Sequence, residues 1–200
     1  MSTPVLLVHG IWDDGRRFDA MRAALERAGL GPLATVDLRP NDGSARIESL
    51  AEQVEAAATD LLASAATERL DIVGFSMGAL VSRFWVQRMG GKERARRFVS
   101  ISGPHRGTAT AWVMPLDGAR QMRPRSELLR DLDADEDPWG EVEVHTVRTP
   151  FDLMILPPSS SRLPFAHFEH EVLVPMHRFM ITHPRALSMV ASILAGERTK

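Results

Sequence analysis

The residues of this chain best suited to chemistry centre on one serine between two glycines. Gly74-Phe75-Ser76-Met77-Gly78 is a G-x-S-x-G motif, with the strand-like run LDIVGF before it and the helix-like run MGALVSRFWVQRM after it. In that setting small flanking residues let the backbone turn sharply from strand to helix and present the serine at the tip. The pattern predicts that Ser76 is a nucleophile, and the alternative is a structural serine in an ordinary turn.

A serine hydroxyl is a poor nucleophile at neutral pH, so it needs a base and a group that orients the base. Behind a turn of this kind, the chain order is serine, then an acidic residue, then histidine. Asp152 follows the predicted strand 141–149, and His177 follows the predicted strand 171–174. Both therefore fall at carboxyl ends of strands, and we predict that His177 is the base and Asp152 its partner.

Other acidic and histidine residues fit these roles less well. The acidic run DADED and its neighbour Asp131 belong to a long connection, and a solvated surface is a better interpretation of them than a metal site. His167 and His170 precede the last predicted strand, which puts them at its amino end. His183 lies next to the last predicted helix, as a helix cap or a surface residue.

Acyl transfer also needs donors for the negative charge that develops on the substrate oxygen. The backbone N–H of Met77, directly after the serine, is one predicted donor. The loop His9-Gly10-Ile11-Trp12 follows the first predicted strand, and we predict the N–H of Ile11 as the second donor. His9 itself is more plausible as a loop scaffold than as a proton carrier.

Aromatic residues near the predicted site loops are candidates for substrate binding. Trp12, His105 and Trp112 are the predicted contacts. His105 could equally hydrogen-bond its own loop, and Trp112 could equally be a packing residue. Phe18 and Met122 are more plausibly core residues than ligand contacts.

Short apolar runs alternate with longer runs of helical periodicity along the whole chain. This order predicts an α/β protein with about six strands in a mostly parallel sheet and helices on both faces. No linker or repeat interrupts it, so we expect one domain over residues 1–200. Residues 103–140 lack a clean crossover pattern, and we expect them to form a minimal lid or substrate-binding insertion.

Composition excludes several classes of function. The net charge is −2, with 44% hydrophobic and 25% charged residues, so nothing predicts binding to nucleic acid. No phosphate-binding glycine loop, zinc-ligand spacing or dinucleotide fingerprint is present, so we expect neither a cofactor nor a catalytic metal. The absence of cysteine fits a reducing compartment. The N-terminal apolar run, Val5 to Val8, is too short for a leader or a membrane span, so we expect a cytoplasmic protein, with secretion left open.

Five segments together carry a family resemblance: VLLVHGIWDDG, LDIVGFSMGALVSRFWVQRMGG, ISGPHRGT, FDLMILPPSS and VPMHRFMITHP. They resemble the α/β-hydrolase superfamily, and within it the small bacterial lipases and esterases related to triacylglycerol lipases. The resemblance spans about 1–110 and 140–196. It implies Ser76 as nucleophile, Asp152 as acid, His177 as base, and Ile11 and Met77 as oxyanion donors.

The leading functional hypothesis is therefore hydrolysis of a small-molecule or lipid carboxylic ester through an acyl-enzyme. The same residues would also serve an acyltransferase or a thioesterase, which differ only in acceptor and leaving group. A hydrolase fold that binds a ligand without catalysis is the rival from another class.

Overall fold

The computed structural model describes residues 3–197 and contains a parallel sheet of six strands. The spatial order is β2-β1-β3-β4-β5-β6, so β2 forms one edge beside β1 and the later strands follow in chain order to the other edge. All five neighbouring pairs are parallel. The strands are β1 (Val5–Val8), β2 (Leu33–Val36), β3 (Leu70–Phe75), β4 (Ala95–Ile101), β5 (Glu143–Arg148) and β6 (Phe168–Glu171).

Helices cover both faces of this sheet and supply its parallel crossovers. The α-helices are α1 (Asp19–Arg27), α2 (Ile47–Ala65), α3 (Met77–Arg88), α4 (Gly91–Arg94), α5 (Asp117–Gln121), α6 (Glu127–Leu132) and α7 (Pro184–Ala195). Short 3-10 helices occupy Gly15–Phe18, Ala109–Val113, Pro158–Ser161 and His177–Ile181.

The central strands are buried because each face of the sheet packs on its own apolar core. In β1, Leu6 and Val8 point into a core shared with α2 and α3, whereas Val5 and Leu7 point into a core shared with α1 and α7. All four side chains are fully buried. This two-sided burial explains why β1 reads as a continuous apolar run and not as an alternating one.

The sequence placed most elements correctly, and the last strand is the main exception. That strand was expected over 171–174 but spans Phe168–Glu171, so His170 lies inside it and only His167 precedes it. The apolar residues that suggested a strand, Val172 and Val174, are buried in the α1/α7 core just beyond it. The prediction was wrong because these two valines are buried although they lie past the end of the strand.

The connection between β4 and β5 contains a 3-10 helix, α5 and α6. The segment from Pro104 to Arg123, called the roof segment below, lines a cavity together with Ser76, the residue that follows the carboxyl end of β3. The acidic run farther along is an ion-pair partner and not simply solvated: Asp133 pairs with Arg83 at 2.7 Å and Asp135 with Arg88 at 2.6 Å. Among the described residues, no helix is long and apolar enough to cross a membrane.

Candidate active site

Ser76 sits in a strained turn between β3 and α3. Its backbone has φ 55° and ψ −125°, a positive-φ conformation that non-glycine residues rarely adopt. The two motif glycines make the turn possible. A Cβ on Gly74 would lie 2.5 Å from the Cα of Ala79, and one on Gly78 would lie 2.3 Å from the carbonyl oxygens of Val8 and His9. The G-x-S-x-G pattern is thus a steric requirement of this turn.

The turn is also held by hydrogen bonds on both sides of the serine. The N–H of Ser76 donates to the carbonyl of Ile101 at 2.9 Å, and the carbonyl of Ser76 accepts from the N–H of Ala79 at 3.0 Å. The second bond opens helix α3. The helix therefore directs its free N-terminal N–H groups, including that of Met77, toward the serine.

The loop after β1 lies directly against the serine. A Cβ on Gly10 would lie 2.9 Å from the Cβ of Ser76, so only glycine permits this approach. The next residue, Ile11, lines the same space as Ser76, and its N–H takes part in none of the loop or turn hydrogen bonds of residues 3–197. Both predicted oxyanion donors, Ile11 and Met77, thus belong to backbone that borders Ser76.

His9 fixes the shape of this loop. Its Nε2 accepts the N–H of Leu38 at 3.0 Å, so its Nδ1 carries the proton and donates to the carbonyl of Gly10 at 2.9 Å. The ring is buried, and both of its nitrogens are occupied. His9 is a loop scaffold in this structure.

Asp152 and His177 form a buried hydrogen-bonded pair. The Nδ1 of His177 donates to the Oδ2 of Asp152 at 2.7 Å. The other carboxylate oxygen, Oδ1, accepts the backbone N–H groups of Met154 and Ile155, each at 2.9 Å. These bonds fix the plane of the carboxylate and leave one ring nitrogen of His177, Nε2, for other partners.

The pair keeps Asp152 ionised. Burial alone would raise the pKa of this carboxyl, but the hydrogen bond and the charge of His177, together with the two backbone donors, outweigh burial and lower the pKa. An ionised Asp152 can only accept, so it requires a proton on Nδ1 of His177.

Contacts outside the pair join the loops that carry it. The Oγ1 of Thr149, at the end of β5, donates to the carbonyl of Val174 at 2.6 Å and so ties the Asp152 loop to the His177 loop. From the other side, Arg17 donates to the carbonyl of Arg178 at 3.1 Å. The segment bearing His177 is thereby attached to two separate parts of the chain.

Ser76 and His177 both line a cavity of about 530 Å³. The ring of Phe75, next to the serine, packs against the imidazole with the ring centroids 4.8 Å apart. Leu153 and Met176 supply apolar walls to this larger cavity, while its charged lining residues are Asp13, Arg17 and Arg178. Burial raises the pKa of Asp13, and the nearby charge of Arg17, 3.3 Å away, opposes that rise.

A smaller cavity of about 280 Å³ also borders Ser76. Ile11, Trp12, Ser76 and Met154 belong to both cavities. The roof segment supplies most of the remaining wall, and no charged residue lines this space. Both cavities that border the serine are thus mainly apolar, and only the larger one includes charged lining residues.

The structure places the three predicted substrate contacts in different environments. Trp12 lines both cavities. His105 is fully buried, its Nε2 lies 2.6 Å from the Oγ of Ser100, and it lines neither cavity beside Ser76. Burial and the charge of Arg83 hold the pKa of His105 well below its usual value, so the ring is neutral. Its environment corresponds to the alternative of a loop hydrogen-bonding role.

The structure also shows where Trp112 lies, and where Phe18 and Met122 lie, the two residues predicted to belong to the core. Trp112 lies on the exposed surface of the roof segment, with the guanidinium of Arg123 4.5 Å from its ring centre, and it lines neither cavity beside Ser76. Phe18 is fully buried in the α1/α7 core. Met122 is buried too, but it lines the smaller cavity.

Leu153, Met154, Ile155 and Met176 are lining residues that sequence reasoning did not single out. A signal was present, because the apolar run LMI directly follows the predicted acid in a loop, where exposed apolar residues are unusual. Within the described part of the chain, no group of three or more acidic, histidine or cysteine residues could hold a metal ion.

The fold and the serine turn together define an α/β-hydrolase, and solved structures support the fold. An Aspergillus fumigatus lipase B superposes with a TM-score of 0.82 at 16% identity, covering 97% of this chain and 52% of the lipase. A mature Bacillus licheniformis lipase gives 0.81 at 13% identity, covering 96% and 92%. A Paleococcus ferrophilus monoacylglycerol lipase gives 0.67 at 16% identity, covering 98% and 96%.

The sequence identifies the family. The chain belongs to the palmitoyl protein thioesterase family, whose model matches residues 4–135. It is also 29% identical to a triacylglycerol lipase of Pseudomonas fragi over 113 residues, which are 54% of this chain and 36% of the lipase. The chain thus spans about a third of this curated relative. The resemblance to lipases and esterases inferred from the motifs is confirmed.

Proposed function

We propose that this protein is a serine hydrolase of carboxylic esters, acting as a single domain through Ser76, His177 and Asp152 and an acyl-enzyme intermediate. The observation that carries the proposal is the 2.7 Å hydrogen bond between His177 and Asp152, because His177 lines the same cavity as Ser76. The strained turn at Ser76 is a second, independent support, because such strain persists where function requires it.

In the acylation half-reaction, Ser76 Oγ bonds to the ester carbonyl carbon while its proton passes to Nε2 of His177. The carbonyl oxygen becomes an oxyanion that accepts from the N–H groups of Ile11 and Met77. The imidazolium then gives its proton to the leaving oxygen as the C–O bond breaks, which releases the alcohol and leaves the acyl group on Ser76.

Deacylation repeats these steps with water. His177 takes a proton from the water, the hydroxide oxygen bonds to the acyl carbon, and the proton returns to Ser76 Oγ as the acid leaves. Asp152 holds the imidazole with Nδ1 protonated and stabilises the imidazolium in both halves. Each oxyanion donor contributes about 2.7–4 kcal/mol to the transition state.

The first test is turnover of p-nitrophenyl butyrate by the wild type and by Ser76→Ala. We expect the substitution to reduce kcat by at least about a thousandfold, since removal of a triad member leaves only the oxyanion hole and binding. Circular dichroism should show that the variant is folded. Equal turnover by the two proteins would contradict the proposal.

Thioester hydrolysis is the second candidate, and the family match favours it. It uses the same acylation and releases a thiol in place of an alcohol, so an assay with paired substrates separates the two. Comparison of kcat/KM for an oxygen ester and a thioester of the same acyl chain tests the preference. A ratio strongly in favour of the thioester would make this protein a thioesterase by preference.

A further inference from the structure

The positions of the two cavities relative to His177 assign the two halves of the substrate. The leaving oxygen must receive a proton from His177, so the leaving group has to lie on the side of the imidazole. His177 lines the larger cavity and not the smaller one. The acyl chain, on the opposite side of the reacting carbon, then extends into the smaller cavity.

The chemistry of the two linings agrees with this assignment. The smaller cavity is walled by apolar and hydroxyl-bearing side chains, which suit an alkyl chain. The larger cavity is also mainly apolar, but it alone has charged lining residues, Asp13, Arg17 and Arg178, so it can accommodate a leaving group that has a polar part.

The wall of the smaller cavity is fixed to the loop that carries Asp152. Thr108 and Thr110 both donate to the carbonyl of Met154, at 2.8 and 2.7 Å. The N–H of Leu156 donates to Thr108 Oγ1 at 2.8 Å, and the N–H of Ala109 donates to the carbonyl of Leu156 at 2.9 Å.

The roof segment is equally fixed to the body of the protein. The N–H of Ala119 donates to the carbonyl of Gly43 at 3.0 Å, and Gln121 accepts the N–H of Ile47 at 2.7 Å. Gly118 packs closely against Ala45, and a Cβ on Gly118 would lie 2.0 Å from the carbonyl oxygen of Ala45. A segment bonded and packed at both borders forms a rigid wall.

We propose that the roof segment is the fixed wall of an acyl site of limited depth, so that the substrates are esters or thioesters of medium-chain acids. This inference rests on the proposed function. A cavity of about 280 Å³ holds about nine methylene-sized groups, since a water-sized group occupies roughly 30 Å³ of liquid. A palmitoyl chain has more carbons than this, so part of it would extend beyond the cavity.

The test is a chain-length series of p-nitrophenyl esters from acetate to palmitate, with each ester below its solubility limit. We expect kcat/KM to rise by up to about fourfold per added methylene, the factor for burying one methylene group. The rise should stop near octanoate or decanoate, and palmitate should be turned over more slowly than octanoate.

Two matched variants test which cavity holds the chain. Met114 lines only the smaller cavity and Met176 only the larger one, so Met114→Ala and Met176→Ala make the same change in one cavity each. We expect Met114→Ala to move the optimum toward longer chains and Met176→Ala to leave it in place. Ala119→Leu, which fills the smaller cavity, should move it toward shorter chains.

The outcomes separate the two proposals. If the folded wild type hydrolyses no ester or thioester of any length, the proposed function fails. If it is active but turns over palmitate as efficiently as octanoate, the limited acyl site alone is overturned. A shift of the optimum in Met176→Ala in place of Met114→Ala would also overturn it, because the chain would then occupy the other cavity.

Discussion

Replacing Asp152 by Asn should disable the base while leaving the fold intact. The carboxylate oxygen Oδ1 accepts two backbone N–H groups at 2.9 Å, so the Asn oxygen must take that position. Its NH₂ group then faces Nδ1 of His177, where Oδ2 accepted before. An imidazole facing a donor there adopts the other tautomer, with the proton on Nε2, and cannot take a proton from Ser76.

The geometry also sets the size of the effect. To restore the active tautomer, the Asn amide must turn over and place its NH₂ group against two backbone N–H donors. Leaving a buried donor unsatisfied costs about 1–3 kcal/mol, so two come to about 2–6 kcal/mol. At 1.36 kcal/mol per decade, this is a factor of about 30 to 25,000 in kcat.

The assay is steady-state hydrolysis of p-nitrophenyl octanoate by the wild type and Asp152→Asn, with urea unfolding to confirm that the variant is folded. Asp135→Asn is the matched control, because it makes the same change in a carboxylate that pairs with Arg88 away from the site. The control should keep kcat within about twofold of the wild type. Retention of more than about a tenth of the wild-type kcat by Asp152→Asn would refute the reasoning.

Three further predictions concern stability and are checked by urea unfolding. Gly78→Ala should lower the free energy of unfolding by more than about 4 kcal/mol, because the new Cβ would lie 2.3 Å from two backbone carbonyl oxygens. Gly29→Ala, at a residue with φ 73° and open space around it, should lower it by about 1–2 kcal/mol. Similar losses for the two variants would contradict the steric account. Ser76→Gly should be more stable than Ser76→Ala by about 1 kcal/mol, since glycine adopts the positive φ of 55° without strain. A glycine variant that is less stable than the alanine variant would show that the turn is unstrained. Because the pKa of His105 is lowered in the folded state, the unfolded chain binds more protons below about pH 6.5, and stability should fall with falling pH by up to about 1.36 kcal/mol per pH unit. His105→Gln should flatten this dependence, and an unchanged slope would assign it to other groups.

The sequence predicted most reliably what local sterics and burial dictate. Gly74 and Gly78 are required by contacts within one turn, so the motif indicates the geometry directly. The buried strands β1 and β3 read as apolar runs because both of their faces are covered. The α7 helix ends at Gly196, whose φ of 76° explains the stop that the sequence indicated.

Features that depend on tertiary packing could not be predicted in the same way. The edge strand β6 is largely exposed, so its residues FEHE carry no apolar pattern, and the nearby buried valines drew the prediction away from it. The burial of His105 depends on partners such as Ser100 and Arg83 meeting in space. The side-by-side cavities arise from loops far apart in the chain, which no local pattern describes.

The measurement that tests the central claim most directly is intact-mass analysis after reaction with a fluorophosphonate probe. The account predicts one adduct per chain on the wild type, located on Ser76 by peptide mapping, and none on Ser76→Ala. His177→Ala should react at least about a hundredfold more slowly, because the hydroxyl then lacks its base. A folded wild-type protein that gains no adduct, or gains one at another residue, would contradict the claim that Ser76 is an activated nucleophile.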